Sequence, residues 1–157
     1  MATQQNEPEM AVTDALIEET TCADHIQVIQ TVIASLDADN SAMVSQTPAN
    51  GHLWKFKYGK AEVFVQLTGL SDDDTLTVWS MVLKLPAKNE DKLMRQLLEM
   101  NWSSTFEARF GIIDNQVVVV STRTLAELSP GEISRLLTVV ATIANDHEEA
   151  LQSEFAA

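Results

Sequence analysis

The sequence is poor in the residues that most often build chemical sites. It has a single cysteine, Cys22, which excludes an internal disulfide and fits a reducing compartment. With only 5 glycines it contains no Gly-x-Gly-x-x-Gly run or other phosphate-binding loop. Its three histidines, His25, His52 and His147, form no His-Glu-x-x-His or His-x-x-x-His pair, so a zinc motif is absent. We therefore expect no catalytic residues, no cofactor, no metal and no enzymatic activity.

Basic residues and long apolar runs are also scarce. No Lys or Arg precedes Lys55, and the formal net charge is -13. Phosphates select basic surfaces, so we expect neither nucleic acid nor an anionic membrane as a partner. No apolar run approaches the roughly 20 residues of a membrane helix, and the first residues lack the basic and apolar regions of a secretory signal. These absences predict an acidic, cytoplasmic protein.

The pattern that is present is that of one α+β domain. Residues 1–20 have weak periodicity and predict a mobile N-terminal arm, whereas residues 21–157 predict a single folded domain. Thr21 has the character of an N-cap, and apolar residues at helical spacing follow it. This apolar face includes Ile29 and Ile33, so a first helix of about four turns is expected.

Three strands follow, at 53–58, 62–67 and 75–85, where the apolar period changes to two. Gly59 occupies the first central position of a two-residue turn between the first two strands, as is typical of a type II′ hairpin. Pro86 ends the third strand because it cannot donate a hydrogen bond to a neighbouring strand. Met43-Val44, before these strands, allow a further short edge strand.

A second helix and a second hairpin come next. Asn89 is predicted to cap the helix, and Trp102 lies near its end. Its predicted buried stripe consists of Leu93, Met94, Leu97 and Leu98. Strands are expected over 106–113 and 116–123, joined at Asp114-Asn115, a dipeptide that tolerates the positive φ angles of a tight hairpin.

The last helix has the clearest start signal in the chain. Ser129, followed by Pro130 and by Glu132 three residues after Ser129, forms a capping-box pattern. Apolar residues then continue at helical spacing for about six turns. The predicted order is therefore α-β-β-β-α-β-β-α, with an antiparallel sheet packed against helices.

The third strand is apolar on both of its faces. Trp79 and Met81 share the face expected to meet the core, whereas Val78 and Val82 share the other. Five strands form a sheet about 24 Å wide, and each packed helix covers about 10 Å, so two or three helices cover little more than one face. The second face is covered either by helices that wrap a strongly bent sheet or by a self-partner or client segment.

Several short stretches then resemble a known family. These are Leu85-Pro86, Leu97-Leu98, Met100-Asn101, Phe110-Gly111-Ile112 and Val117 to Val120, followed by the final amphipathic helix. Together they resemble the YbjN-domain family of bacteria, and the order of elements resembles the type III secretion chaperone-like fold. The resemblance implies an α+β sandwich that is commonly dimeric and has no catalytic centre or cofactor. It also implies a surface that holds an extended segment of a client protein.

The first functional hypothesis is a non-enzymatic, homodimeric protein-binding domain, chaperone-like or regulatory, that holds a protein or peptide client on an apolar sheet and helix surface. The predicted dimer contacts lie on the second helix, and the predicted client contacts lie on the third strand and the first helix. The dimer candidates are Leu93, Leu97, Met100 and Trp102, and the client candidates are Val78, Val82, Ile29 and Ile33.

Two other hypotheses belong to different classes. One is a small-ligand sensor or an enzyme, whose pocket would lie near Trp54, Tyr58, His52 and Arg109. A deep pocket with convergent polar groups would favour it, and a flat apolar surface would not. The other is a structural subunit that exists only within a larger complex.

Overall fold

A computed structural model describes residues 25–157. The predicted arm at 1–20, the predicted cap at Thr21 and the residue Cys22 lie outside the described residues. The described elements are three helices and six strands: α1 (25–36), β1 (Met43–Thr47), β2 (Gly51–Tyr58), β3 (Ala61–Leu67), β4 (Thr75–Lys84), α2 (Glu90–Ser103), β5 (Arg109–Ile113), β6 (Gln116–Thr124) and α3 (Pro130–Phe155).

The six strands form one antiparallel sheet in the order β1-β2-β3-β4-β6-β5. The expected α+β class and order of elements are confirmed, with the short edge strand at Met43-Val44 added as β1. β1 and β5 form the two edges of the sheet, and β4 pairs with β6 although α2 and β5 lie between them in the chain.

Both predicted hairpin turns are present. Gly59 has a φ of 58°, as the first central residue of a type II′ turn requires. Asp114 and Asn115 have φ values of 51° and 59°, the left-handed pair of a type I′ turn. The local chemistry of these residues therefore fixes two of the strand registers.

Two of the predicted helix caps, Asn89 and Ser129, lie within the described residues, and both occupy the N-cap position. Ser129 and Glu132 form the full capping box, each side chain accepting a hydrogen bond from the other residue's backbone N–H at 3.2 Å. Asn89 is the N-cap residue of α2, but it has left-handed backbone angles and makes no side-chain cap bond. The carboxylate of Glu90 accepts the backbone N–H of Ala87 at 3.0 Å and so stabilises this turn in its place.

The helices cover one face of the sheet, and it is not the face expected from the sequence. Val78 and Val82 are fully buried beneath α3, in one core with Ile29 of α1 and Leu93 of α2. Trp79 and its neighbours point to the opposite face, where the described helices do not pack. The expectation that Val78 and Val82 lie on the uncovered face is therefore wrong. Both faces of β4 are apolar, so its alternation could not show which face α3 would choose.

Two details at the end of α2 also differ from expectation. β5 begins at Arg109 rather than at 106, because Phe106 adopts a left-handed φ of 53° and lies in a turn. Leu98, expected in the buried stripe, is 69% exposed, whereas Leu93 and Leu97 are buried. The helix thus has a narrow buried stripe and leaves apolar side chains at its surface.

Candidate functional site

A single row of side chains crosses the uncovered face of the sheet from edge to edge. Cross-strand pairing places one residue from each strand in register, in the order Met43, Lys55, Phe64, Trp79, Val120 and Arg109. Directly paired residues of an antiparallel sheet share a face, so all six point to the same side. We call this side of the sheet the open face. Its row has apolar residues in the middle and a cation near each end.

The centre of the row is an aromatic pair. The rings of Phe64 and Trp79 are stacked, with centroids 5.4 Å apart and an interplanar angle of 11°. Lys55 lies beside them, its Nζ 6.0 Å from the Phe64 centroid and 2.6 Å from a carboxylate oxygen of Glu62. Both rings are half-buried, and they lie on the side of the sheet where the described helices do not pack. This leaves a flat apolar platform that a second molecule can cover.

A second apolar surface lies at the end of α2. Trp102 is 93% exposed, and Leu98, one turn before it, lies on the same side of the helix. Phe106, in the turn after the helix, is 79% exposed. We call these three residues the α2-end cluster. Large apolar side chains concentrated at one end of an element are typical of an interaction surface.

The adjoining sheet edge is closed by a side chain. Asn101 accepts the backbone N–H of Phe110 at 2.7 Å and donates to the Phe110 carbonyl at 3.3 Å. The amide thus pairs with β5 as another strand would, and it holds α2 against this edge. A free edge invites pairing with other chains, so these two bonds protect β5 at Phe110. At the other edge, Met43 and Val44 of β1 are 67% and 56% exposed.

The structure separates the eight predicted contact residues into two groups. Trp102 is at the surface and Met100 is half-buried, whereas the other six are buried within the chain. The buried six are Ile29, Ile33, Val78, Val82, Leu93 and Leu97. A partner could reach these only after local unfolding. The sequence did not predict that Phe106 is exposed and that Phe64 and Trp79 are only half-buried, since apolar residues are expected inside unless the packing of the helices is known.

The four residues predicted to line a small-ligand pocket do not come together on one surface. Trp54 is buried on the helix-covered face, where its ring stacks on His52 at 5.3 Å, and Tyr58 lies on the same strand. Arg109 is on β5, four strands away and on the open face. At about 4.8 Å per strand the separation is roughly 19 Å. The small-ligand hypothesis built on these four residues is therefore wrong in its geometry.

A shallow cleft of about 370 Å³ does lie between β6 and α3. Its charged residues already form two ion pairs, Arg123 with Glu132 at 3.2 Å and Arg135 with Glu107. The hydrogen bond from Arg135 lowers the pKa of Glu107 below its usual value, and the Ser129 backbone N–H, followed by Arg123, lowers that of Glu132. Carboxylates held ionised and paired in this way are suited to structure rather than to proton transfer.

The part of the chain that the structure describes contains no group of three or more His, Cys, Asp or Glu side chains placed to hold a metal ion. None of the helices within residues 25–157 is long and apolar enough to cross a membrane. The surfaces that remain as candidate sites are thus the open face and the α2-end cluster.

Comparison with known proteins identifies first the class and then the family. The fold is that of the type III secretion chaperone-like α+β proteins. Among solved structures it is similar to a chain in the crystal structure of the ExsC–ExsE complex, with 19% identity and a TM-score of 0.51, over 68% of this chain and 80% of the other. Residues 25–153 match the YbjN family, described as "Putative bacterial sensory transduction regulator". The chain belongs to the YbjN family, as its sequence suggested. No curated protein matches it.

Proposed function

We propose that this protein is a non-enzymatic protein-binding domain that holds a segment of a partner on the open face. The observation that carries the proposal is the stacked pair of Phe64 and Trp79, on a side of the sheet where no described helix packs. Burying an aromatic side chain stabilises an interface by about 2 kcal/mol, and a flat platform suits an extended segment better than a small molecule.

We also propose that the protein is a homodimer through the α2-end cluster. The supporting observation is the exposure of Leu98, Trp102 and Phe106 at one end of α2, next to the edge that Asn101 closes. Exposed Trp residues are frequent hot spots of interfaces. The two surfaces are separate, so that a dimer would leave both open faces free for partners.

Sedimentation velocity at micromolar concentration tests the dimer. The wild-type chain should sediment as a dimer and Trp102→Ser as a monomer. Met43→Ser is the matched control, because it removes an exposed apolar side chain from the opposite edge of the sheet and should leave the dimer intact. A wild-type monomer would refute the dimer proposal, and recovery of the chain only within a larger fixed complex would favour a structural subunit.

A tagged pull-down from the cells that produce the protein tests the partner surface. We expect a protein retained by the wild-type chain and by Trp102→Ser but lost from Trp79→Thr, which removes the aromatic platform while keeping a residue suited to a strand. Circular dichroism of each variant checks that the fold is unchanged. Equal recovery with Trp79→Thr would show that the partner does not use the open face.

A further inference from the structure

The charge of the open face is opposite to that of the rest of the chain. Its strands carry four cations and one carboxylate, assigned to this face by cross-strand register: Lys55, Lys57, Lys84, Arg109 and Glu62. The whole chain has a formal net charge of -13 and only 10 Lys and Arg residues. The open face is therefore a local cationic surface on an acidic protein.

Most of these cations have no carboxylate partner. Lys55 is paired with Glu62, whereas Lys57, Lys84 and Arg109 form no ion pair with any residue in 25–157. All three are exposed, so their charges are available to another molecule. Unpaired charges around an apolar centre favour a partner of complementary charge, and they suppress wrong partners by repulsion.

We propose that the open face selects a segment of another protein with an apolar or aromatic centre and a carboxylate on each side. The claim rests on the proposed function and adds the chemical class of the partner. The aromatic pair would receive the apolar centre of the segment, while the unpaired Lys57 on β2 and Arg109 on β5 would receive its carboxylates.

The geometry also sets the spacing within the segment. Lys57 on β2 and Arg109 on β5 lie on strands that are four strand spacings apart, roughly 19 Å across the sheet at about 4.8 Å each. An extended chain advances about 3.3 Å per residue, so a segment lying along the row would carry its acidic residues about six positions apart.

A second copy of this chain is a poor occupant of the same face. In a two-fold symmetric contact each patch meets itself, and the cationic ends of one row would face the cationic ends of the other. Like charges brought together in this way oppose association. The open face therefore suits a different, acidic partner. The three residues of the α2-end cluster are apolar, so a symmetric contact between them brings no like charges together.

Fluorescence anisotropy with a labelled synthetic peptide tests the proposal. The probe is a peptide of about nine residues with Asp at its second and eighth positions, Phe and Leu at its fourth and sixth, and Thr or Ser elsewhere, so that the two carboxylates match the predicted spacing. One control peptide replaces both Asp by Asn, and another replaces Phe and Leu by Ala. We expect both controls to bind more weakly, and the affinity of the acidic peptide to fall as salt is raised.

Variants of the full chain locate the site. Lys57→Gln with Arg109→Gln should weaken binding of the acidic peptide about fivefold, because exposed charge pairs contribute about 0.5 kcal/mol each. The same double variant should leave the weak binding of the Asn peptide unchanged. Lys88→Gln with Arg95→Gln is the matched control, since it removes the same charge from outside the sheet and should have no effect.

The outcomes separate this proposal from the one on which it rests. Equal binding of the acidic and the Asn peptides, lost in Trp79→Thr, would keep the protein-binding function and overturn the acidic selectivity. If neither peptide binds, the acidic selectivity and the protein-binding function are both overturned. If the protein binds phosphatidylglycerol vesicles and not the peptide, the proposal is overturned in favour of a lipid surface. Binding of the acidic peptide only after the acidic residues within 1–24 are replaced by amides, with none to the wild-type chain, would assign the face to the chain's own N-terminal segment and would likewise overturn the proposal.

Discussion

Replacing Asn101 by Ala is the sharpest test of how the sheet edge is held. The change removes two hydrogen bonds, at 2.7 and 3.3 Å, between the side-chain amide and the backbone of Phe110. A net contribution of about 1 kcal/mol per bond predicts a loss of about 2 kcal/mol in the free energy of unfolding. For a chain of this size that loss lowers the melting temperature by roughly 4–8 °C.

Thermal unfolding followed by circular dichroism measures the loss, and amide hydrogen exchange locates it. The Phe110 amide should exchange faster in Asn101→Ala, since its acceptor is gone, while amides of β3 in the middle of the sheet should change no more than the global stability requires. Asn101→Asp keeps the acceptor for the Phe110 N–H but loses the donor to its carbonyl, so an intermediate effect is expected. Ser103→Ala, an exposed residue of the same helix, is the control.

A change of less than about 0.5 kcal/mol in Asn101→Ala would refute the reasoning, because surface substitutions without structural consequence fall in that range. It would mean that water replaces the amide at the edge of β5 without loss. The protection of this edge would then have to come from the packing of α2 alone, through its buried Leu93 and Leu97.

Three further predictions concern other elements. Ser129→Ala should lower the free energy of unfolding by about 1 kcal/mol, since it removes the hydroxyl that accepts the Glu132 N–H, and urea titration measures this. Val78→Ala should cost about 2 kcal/mol in the same assay because Val78 is fully buried beneath α3, whereas the role expected from sequence, an uncovered contact, would give almost no loss. Hydrogen bonds from Ser71, then Thr68, lower the pKa of Asp74 below its usual value. The stabilisation from Asp74 is therefore complete above the unfolded pKa, near 3.9, and is lost as the pH falls through the lower folded pKa, so wild type should lose more stability than Asp74→Asn between about pH 5 and pH 2.

The sequence by itself determined the local elements, because their signals act over a few residues. Gly59 and Asp114-Asn115 fixed two hairpins through backbone angles that few other residues adopt, and Ser129 with Glu132 fixed the start of α3. Period-two alternation located the strands that these turns join. The same local reasoning found Asn89 as the N-cap of α2 but not its bonding, because its backbone adopts a left-handed conformation and Glu90 accepts the hydrogen bond in this turn instead.

Only the tertiary structure decided which face of the sheet is buried. Val78 and Trp79 are adjacent in β4, both apolar, and alternation assigns them to opposite faces without showing which face meets the helices. The packing of α3 buried Val78 and left Trp79 beside Phe64 on the open face. The alignment of Lys55 and Arg109 in one row could likewise not be predicted from the sequence, since these residues lie on strands far apart in the chain. Cross-strand register, a non-local property, brought them into line and gave the open face its charge.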